Sequence, residues 1–194
     1  MPELSATRLV GGTALALQIG HRESIDLDLF GQTGDSGSAL ALQLSGLGSV
    51  SIVSSSKSMM FFRINGIKVD IVNYPYKWLG DSITEDGIRL ASMQDIAAMK
   101  VAAITNRGAR KDFIDMFFLL KKFNMSQIMG FYGAKFPEAT FFAALKSMTY
   151  FADAERDPMP KMLVPIDWNH VRSVITEAVS DYVCRIDSES MAKQ

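Results

Sequence analysis

The sequence predicts an α+β protein, with a mixed sheet and its helices to about residue 90 and a helical lobe over 91–194. Three observations predict it. Short β-favouring runs punctuated by Gly, Asn and Ser turns fill the first ninety positions. Asn65-Gly66, between two such runs, suits a two-residue hairpin turn. From Ser92 onward the apolar residues recur at helical rather than strand spacing. With 194 residues, 48% of them hydrophobic, the chain can bury the core of one domain, or of a compact core with one appended lobe.

The elements follow in order. Leu9-Val10 ends a short strand that runs into the Gly11-Gly12 turn, and Thr13–Ile19 reads as a helix with Thr13 near its N-cap and Gly20 closing it. Ser24–Phe30 alternates in character and reads as a strand. Residues 31–38 are a Gly, Ser, Thr and Asp loop, and Ala39–Leu44 is helical. Val50–Val53, Met59–Ile64, Ile67–Asn73 and Ile88–Leu90 are further strands. Ser92 starts a helix, with Asp95 in the acidic position of a capping box. Lys111–Phe123 is apolar around most of its circumference and should be largely buried. Pro137–Ala154 and Asp167–Ile186 read as two more helices, separated by a segment holding Pro158, Pro160 and Pro165.

Composition excludes several classes. A net charge of −1 rules out a surface that attracts nucleic acid over its whole extent, though not a local basic patch. Cys184 is the single cysteine, so no internal disulfide can form and a reducing compartment is expected. No apolar run reaches bilayer length. The apolar stretch Leu9–Ile19 follows Glu3 and leads straight into charged residues, which does not fit a signal peptide. A soluble, cytoplasmic protein with no membrane partner is the expectation.

The chemistry begins with acids. On the strand Ser24–Phe30, Ile25, Leu27 and Leu29 share one face while Asp26 and Asp28 share the other, about 6–7 Å apart at Cα. Asp70 stands opposite the apolar face Ile67, Val69 and Ile71 of the later strand. If the two strands are neighbours, three carboxylates converge, a donor set for hard divalent cations such as Mg²⁺ or Mn²⁺. Isolated, such acids are ordinarily just solvated. Gly11-Gly12-Thr13 lies where a strand passes into a helix, so backbone N–H groups and a positive dipole end are available to phosphate; a plain tight turn would use the same residues.

The stretch LVGGTALALQIGHRESIDLDLF, residues 9–30, resembles the opening motif of the AbiEii/MenT nucleotidyltransferase toxins, within the polymerase-β-like nucleotidyltransferase superfamily. KVDIVNYPY around Asp70 and the later AAMKVAAITNRGARKDFID extend the likeness to about residue 123. The resemblance implies a nucleotidyltransferase core over 1–90 and a helical lobe over 91–194. It implies Asp26, Asp28 and Asp70 as catalytic, metal-binding acids and Gly11, Gly12, Thr13 and Lys100 as nucleotide contacts. Asp112 and Asp115 match the two acids of the later segment. Only ten residues precede Gly11, where members of the family carry helical sequence.

Lys100 also stands out physically. Ile96, Lys100 and Ile104 fall on one helical stripe, with Arg107 two turns beyond Lys100 on the same side. Cations within a buried apolar arc must reach a cleft, pair with acids or extend to solvent. Asp112 and Asp115 are candidate partners, and so is a triphosphate. Arg22 either contacts phosphate or anchors its loop, and His21 reads as a packed helix-end residue.

The expected reaction is metal-dependent transfer of NMP from an NTP to an acceptor hydroxyl. The resemblance points to RNA, with tRNA leading, and to a toxin held in check by a cognate antitoxin. Two alternatives remain at this point: a protein or small-molecule acceptor, and a non-catalytic binding module that retains the fold.

Overall fold

The computed structural model describes residues 4–33 and 37–191. The chain divides into two compact units, one holding the residues up to Ile19 together with Glu23–Ser92, the other Gly20–Arg22 together with the residues from Met93 on.

The first unit is built on a mixed sheet. Its elements are β1 (Thr7–Val10), α1 (Gly11–Ile19), β2 (Leu27–Gly31), α2 (Gly37–Leu44), β3 (Val50–Ser55), β4 (Met59–Ile64), β5 (Ile67–Asn73), β6 (Ile83–Glu85) and β7 (Ile88–Leu90). The seven strands lie in the order β3-β4-β5-β2-β1-β7-β6. β2 runs parallel to β5, and β1 parallel to β7; the other neighbours are antiparallel. The β4–β5 and β6–β7 hairpins each turn on two residues of positive φ, Asn65 (49°) with Gly66 (85°) and Asp86 (49°) with Gly87 (76°). That backbone matches the twist of the flanking strands.

One face of the sheet is apolar. Met60, Phe62, Val69 and Ile71 are buried there with Leu40 and Leu44 of α2, and Leu27 and Leu29 pack against them. Period-two alternation therefore turns Asp28 and Asp70 to the opposite face.

The second unit is helical: α3 (Met93–Arg107), α4 (Arg110–Leu120), α5 (Met125–Lys135), α6 (Phe141–Met148) and α7 (Trp168–Met191). α3 packs on α4, α5 and α6, and α7 contacts α4, α5 and α6. Every residue of α4 from Asp112 to Leu119 is buried, in line with its all-round apolar character. Gly20–Arg22 joins this unit because the His21 carbonyl accepts from the Leu163 and Val164 amides at 3.0 and 3.2 Å, and Arg22 bridges Met162.

The structure departs from the sequence expectations at several elements. β2 begins at Leu27, so Ser24–Asp26 is a loop leading into the strand. α1 starts at Gly11, which places Thr13 inside the first turn rather than at the cap. β6 and its turn at Asp86-Gly87 form the partner that β7 requires. α5 occupies a segment read as unassigned, and it carries a complete capping box: Gln127 N–H donates to Asn124 Oδ1 and Asn124 N–H to Gln127 Oε1, each at 2.9 Å. The single helix expected over Pro137–Ala154 is the shorter α6 plus a 3-10 turn at Ala154–Arg156. Asp95 accepts from Lys135 at 2.7 Å, a buried ion pair joining α3 to α5.

Candidate active site

Parallel pairing of β2 with β5 sets Asp28 opposite Asp70 in register. Residues paired across neighbouring strands point to the same face, one strand spacing apart, about 4.8 Å. Two acids distant in sequence are thus brought side by side. Asp26 sits just before β2, in a loop whose path is tied down by Thr13. The Thr13 hydroxyl donates to the Asp26 carbonyl and lies 2.8 Å from Ser24 Oγ.

Gly11 closes the other side. Its φ is +70°, and a Cβ built on it would lie 2.6 Å from Asp28 Oδ2. Backbone and carboxylate approach as closely as they do only because no side chain stands between them. The first-turn N–H groups of α1, at Gly11, Gly12 and Thr13, have no i−4 carbonyl to bond. We expect Gly11→Ala to cost about 1–3 kcal/mol in stability and to push Asp28 off its position. Thermal melting read together with nucleotide-transfer assays checks this, and a variant of unchanged stability and turnover would contradict it.

Lys68 is the residue that the sequence reading missed. It stands two positions before Asp70 on the same strand and face, and its Nζ lies 2.6 Å from Asp70 Oδ2. Its hydrogen bond to Asp70, together with the charges of Asp70, Asp28 and Asp26, holds the ammonium above its ordinary pKa despite partial desolvation. All three acids therefore act on one cation. Asp70 is 8% exposed, and its Oδ1 has no hydrogen-bond partner among the described residues. The i, i+2 spacing of Lys68-x-Asp70 was the signal that could have found it.

This donor set fits a hard divalent cation. It offers carboxylate oxygens only, one of them buried and unsatisfied, beside a helix start suited to phosphate. Among the described residues no three acidic, imidazole or thiol groups are gathered closely enough to hold an ion outright. The place beside Asp70 is held by the Lys68 ammonium.

Past the acids, β2 and β5 end in an aromatic crevice of about 540 Å³ lined by Tyr74, Tyr76, Lys77 and Trp78. Phe30, two residues beyond Asp28, packs on Tyr74 at 5.2 Å between ring centroids. Tyr74 in turn packs on Tyr76 at 5.2 Å and on Trp78 at 5.3 Å, and Arg8 lies over Trp78 at 4.5 Å. Tyr76 is 45% exposed.

The remaining expected residues form a separate charge cluster within the second unit. Asp115 accepts from His21 Nε2 at 2.7 Å, from Arg22 at 2.7 and 2.8 Å, and pairs with Lys100 at 2.5 Å. Asp112 accepts from Lys100 at 2.9 Å and from Arg107 at 2.7 and 3.0 Å. Both acids are fully buried. Burial alone would raise their pKa values, but the charges of Lys100, Arg22 and Arg107 and their hydrogen bonds hold both below the usual carboxylate range. Burial likewise works against a charged Lys100, and the charges of Asp115 and Asp112 outweigh it, keeping the ammonium above its ordinary value. Arg107 is the member whose side chain reaches solvent, 56% exposed.

A mixed sheet bearing in-register acids beside a glycine-opened helix, followed by a helical unit, is the architecture of a nucleotidyltransferase. The comparisons agree. The sequence model of the family described as "Nucleotidyl transferase AbiEii toxin, Type IV TA system" matches residues 3–57. The uncharacterized protein aq_aa25 of Aquifex aeolicus (strain VF5) is 34% identical over 182 residues, covering 90% of this chain and 87% of that one. Among solved structures, JHP933 from Helicobacter pylori superposes with a TM-score of 0.57 at 17% identity, over 97% of this chain and 89% of that one. MenT4, the nucleotidyltransferase toxin Rv2826c from Mycobacterium tuberculosis H37Rv, superposes with a TM-score of 0.54 at 14% identity, over 91% of this chain and 76% of that one. The chain belongs to one family with the Aquifex protein, and its residues 3–57 carry the match to the AbiEii nucleotidyltransferase model. No helix among the described residues is long and apolar enough to cross a membrane.

Proposed function

We propose that the protein moves NMP from an NTP onto a hydroxyl of RNA, with tRNA the leading acceptor, using Mg²⁺ or Mn²⁺ and acting as the toxin of a toxin–antitoxin pair. The observation that carries this reading is the in-register pairing of Asp28 with Asp70 beside the Gly11 turn.

Asp26, Asp28 and Asp70 would hold the divalent ion, which when bound neutralises charge building on the triphosphate. The first-turn amides of Gly11, Gly12 and Thr13 hold phosphate oxygens at the positive end of α1. Asp70 Oδ1, buried and without a donor among the described residues, accepts the proton of the attacking hydroxyl. Lys100, the nucleotide contact the resemblance implies, is buried between Asp112 and Asp115, so in the second unit the cation open to an anionic ligand is Arg107. Asp112 holds both cations by hydrogen bonds, and the Arg107 side chain presents its charge to solvent. Arg22 and Asp115 support the same cluster by fixing Lys100. The aromatic crevice favours RNA over a small acceptor, because the exposed Tyr76 ring, backed by Tyr74, suits stacking of a single-stranded base of any identity. A cognate antitoxin, encoded next to the toxin gene, is the expected protein partner.

The test is incubation of the protein with labelled NTPs, Mg²⁺ and total RNA. Label is expected on RNA, in the tRNA size range. Label confined to protein or to a small metabolite would replace the acceptor, and no transfer with any acceptor would leave a binding module.

A further inference from the structure

We propose that Lys68 is the resident counter-cation of the acid face, holding the position beside Asp70 that a divalent ion must take, so that ion loading requires Lys68 to withdraw. The inference rests on the metal-dependent reading above and adds to it how the site is regulated.

Three observations converge on it. The Lys68 ammonium engages Asp70 Oδ2 at 2.6 Å, which leaves Oδ1 as the one Asp70 oxygen without a partner among the described residues. Asp70 is therefore half committed until Lys68 leaves. Lys68 and Asp70 occupy alternate positions of β5 and so share the face that carries Asp28. Finally, the Lys68 side chain is 50% exposed while that of Asp70 is 11% exposed. The cation thus has an open path to solvent, and the carboxylate does not.

The physical consequence follows from charge. A divalent ion entering among the three acids meets an ammonium within a few ångströms, and like charges at that range repel strongly in a partly buried site. A flexible four-carbon stem lets the ammonium swing outward and be rehydrated. A triphosphate arriving with the ion offers the displaced ammonium new anionic oxygens. Ion and nucleotide should then load together, each strengthening the other.

The experiment is Mn²⁺ titration of the full chain followed by electron paramagnetic resonance, with and without a nonhydrolysable triphosphate, for the wild type, Lys68→Met and Lys68→Arg. Removing the competing charge should tighten Mn²⁺ binding by about 10-fold or more in Lys68→Met without nucleotide. Lys68→Arg, which keeps the charge, should bind like the wild type. Nucleotide should raise Mn²⁺ affinity more in the wild type than in Lys68→Met. Thermal melting confirms that each variant is folded, with Lys68→Gln as the replacement if the methionine aggregates. Equal or weaker Mn²⁺ binding by the neutral variant overturns the role of Lys68 and leaves the metal site standing. Absence of Mn²⁺ binding in every protein, nucleotide included, overturns the metal reading and this inference with it.

Discussion

Asp70→Asn should lower nucleotide transfer by about 10²–10⁴-fold while leaving the protein folded. The substitution keeps the shape and the acceptor oxygen for Lys68, so the packing of β5 against β2 and β4 is undisturbed. What it removes is the negative charge at a buried position and the oxygen able to take a proton. Asp28→Asn should behave alike, because Asp28 shares the register position and lies against the Gly11 backbone. Turnover with labelled NTP, read beside the melting temperature, checks both. Near-wild-type transfer in either variant would remove the proposed chemistry, since among the described residues no other acid pair is aligned on that sheet face.

Asp115→Ala should destabilise the helical unit by about 3–5 kcal/mol, the cost of leaving buried charges without their partner. Its carboxylate binds His21, Arg22 and Lys100 at once, and all three are buried. Asp112→Ala should cost less, since Arg107 can turn to water. Urea unfolding followed by circular dichroism measures the difference, and a loss below about 1 kcal/mol for Asp115→Ala would show that the network is dispensable. The sign with pH is set by the same contacts. Both acids are held below their ordinary pKa, so their contribution is present above about pH 4 and is lost as pH falls through their lowered values. Lys100 is held above its ordinary value, so its contribution is present below about pH 10.5 and is lost as pH rises beyond it. A stability plateau through neutral pH, falling at both ends, is expected.

Much of the site was legible because strand periodicity is local. Alternation assigned Asp28 and Asp70 to faces opposite their apolar neighbours, and the structure has them there. The Asn65-Gly66 turn and the helical character after Ser92 followed from residue chemistry at single positions. Asp26 was placed in a strand, but the chain is still a loop at that point, held by the Thr13 hydroxyl rather than by a ladder. α5 was missed although Asn124 and Gln127 spell its capping box, because Gly130 and Gly133 inside it weaken the helical signal.

What the chain determined alone was the inventory: which side chains face together along each strand or helix, where the backbone must turn, and which residues resemble a known family. Neighbour relations were decided only in three dimensions. The parallel register that sets Asp28 beside Asp70 spans a hairpin and a helix, and the clasp of Arg22 on Asp115 joins positions separated by 93 residues. Periodicity fixes the direction of a side chain but carries no information about which strand lies alongside. That choice belongs to the burial of the apolar face as a whole, and it is what converted scattered acids into an aligned pair with Lys68 between charge and solvent.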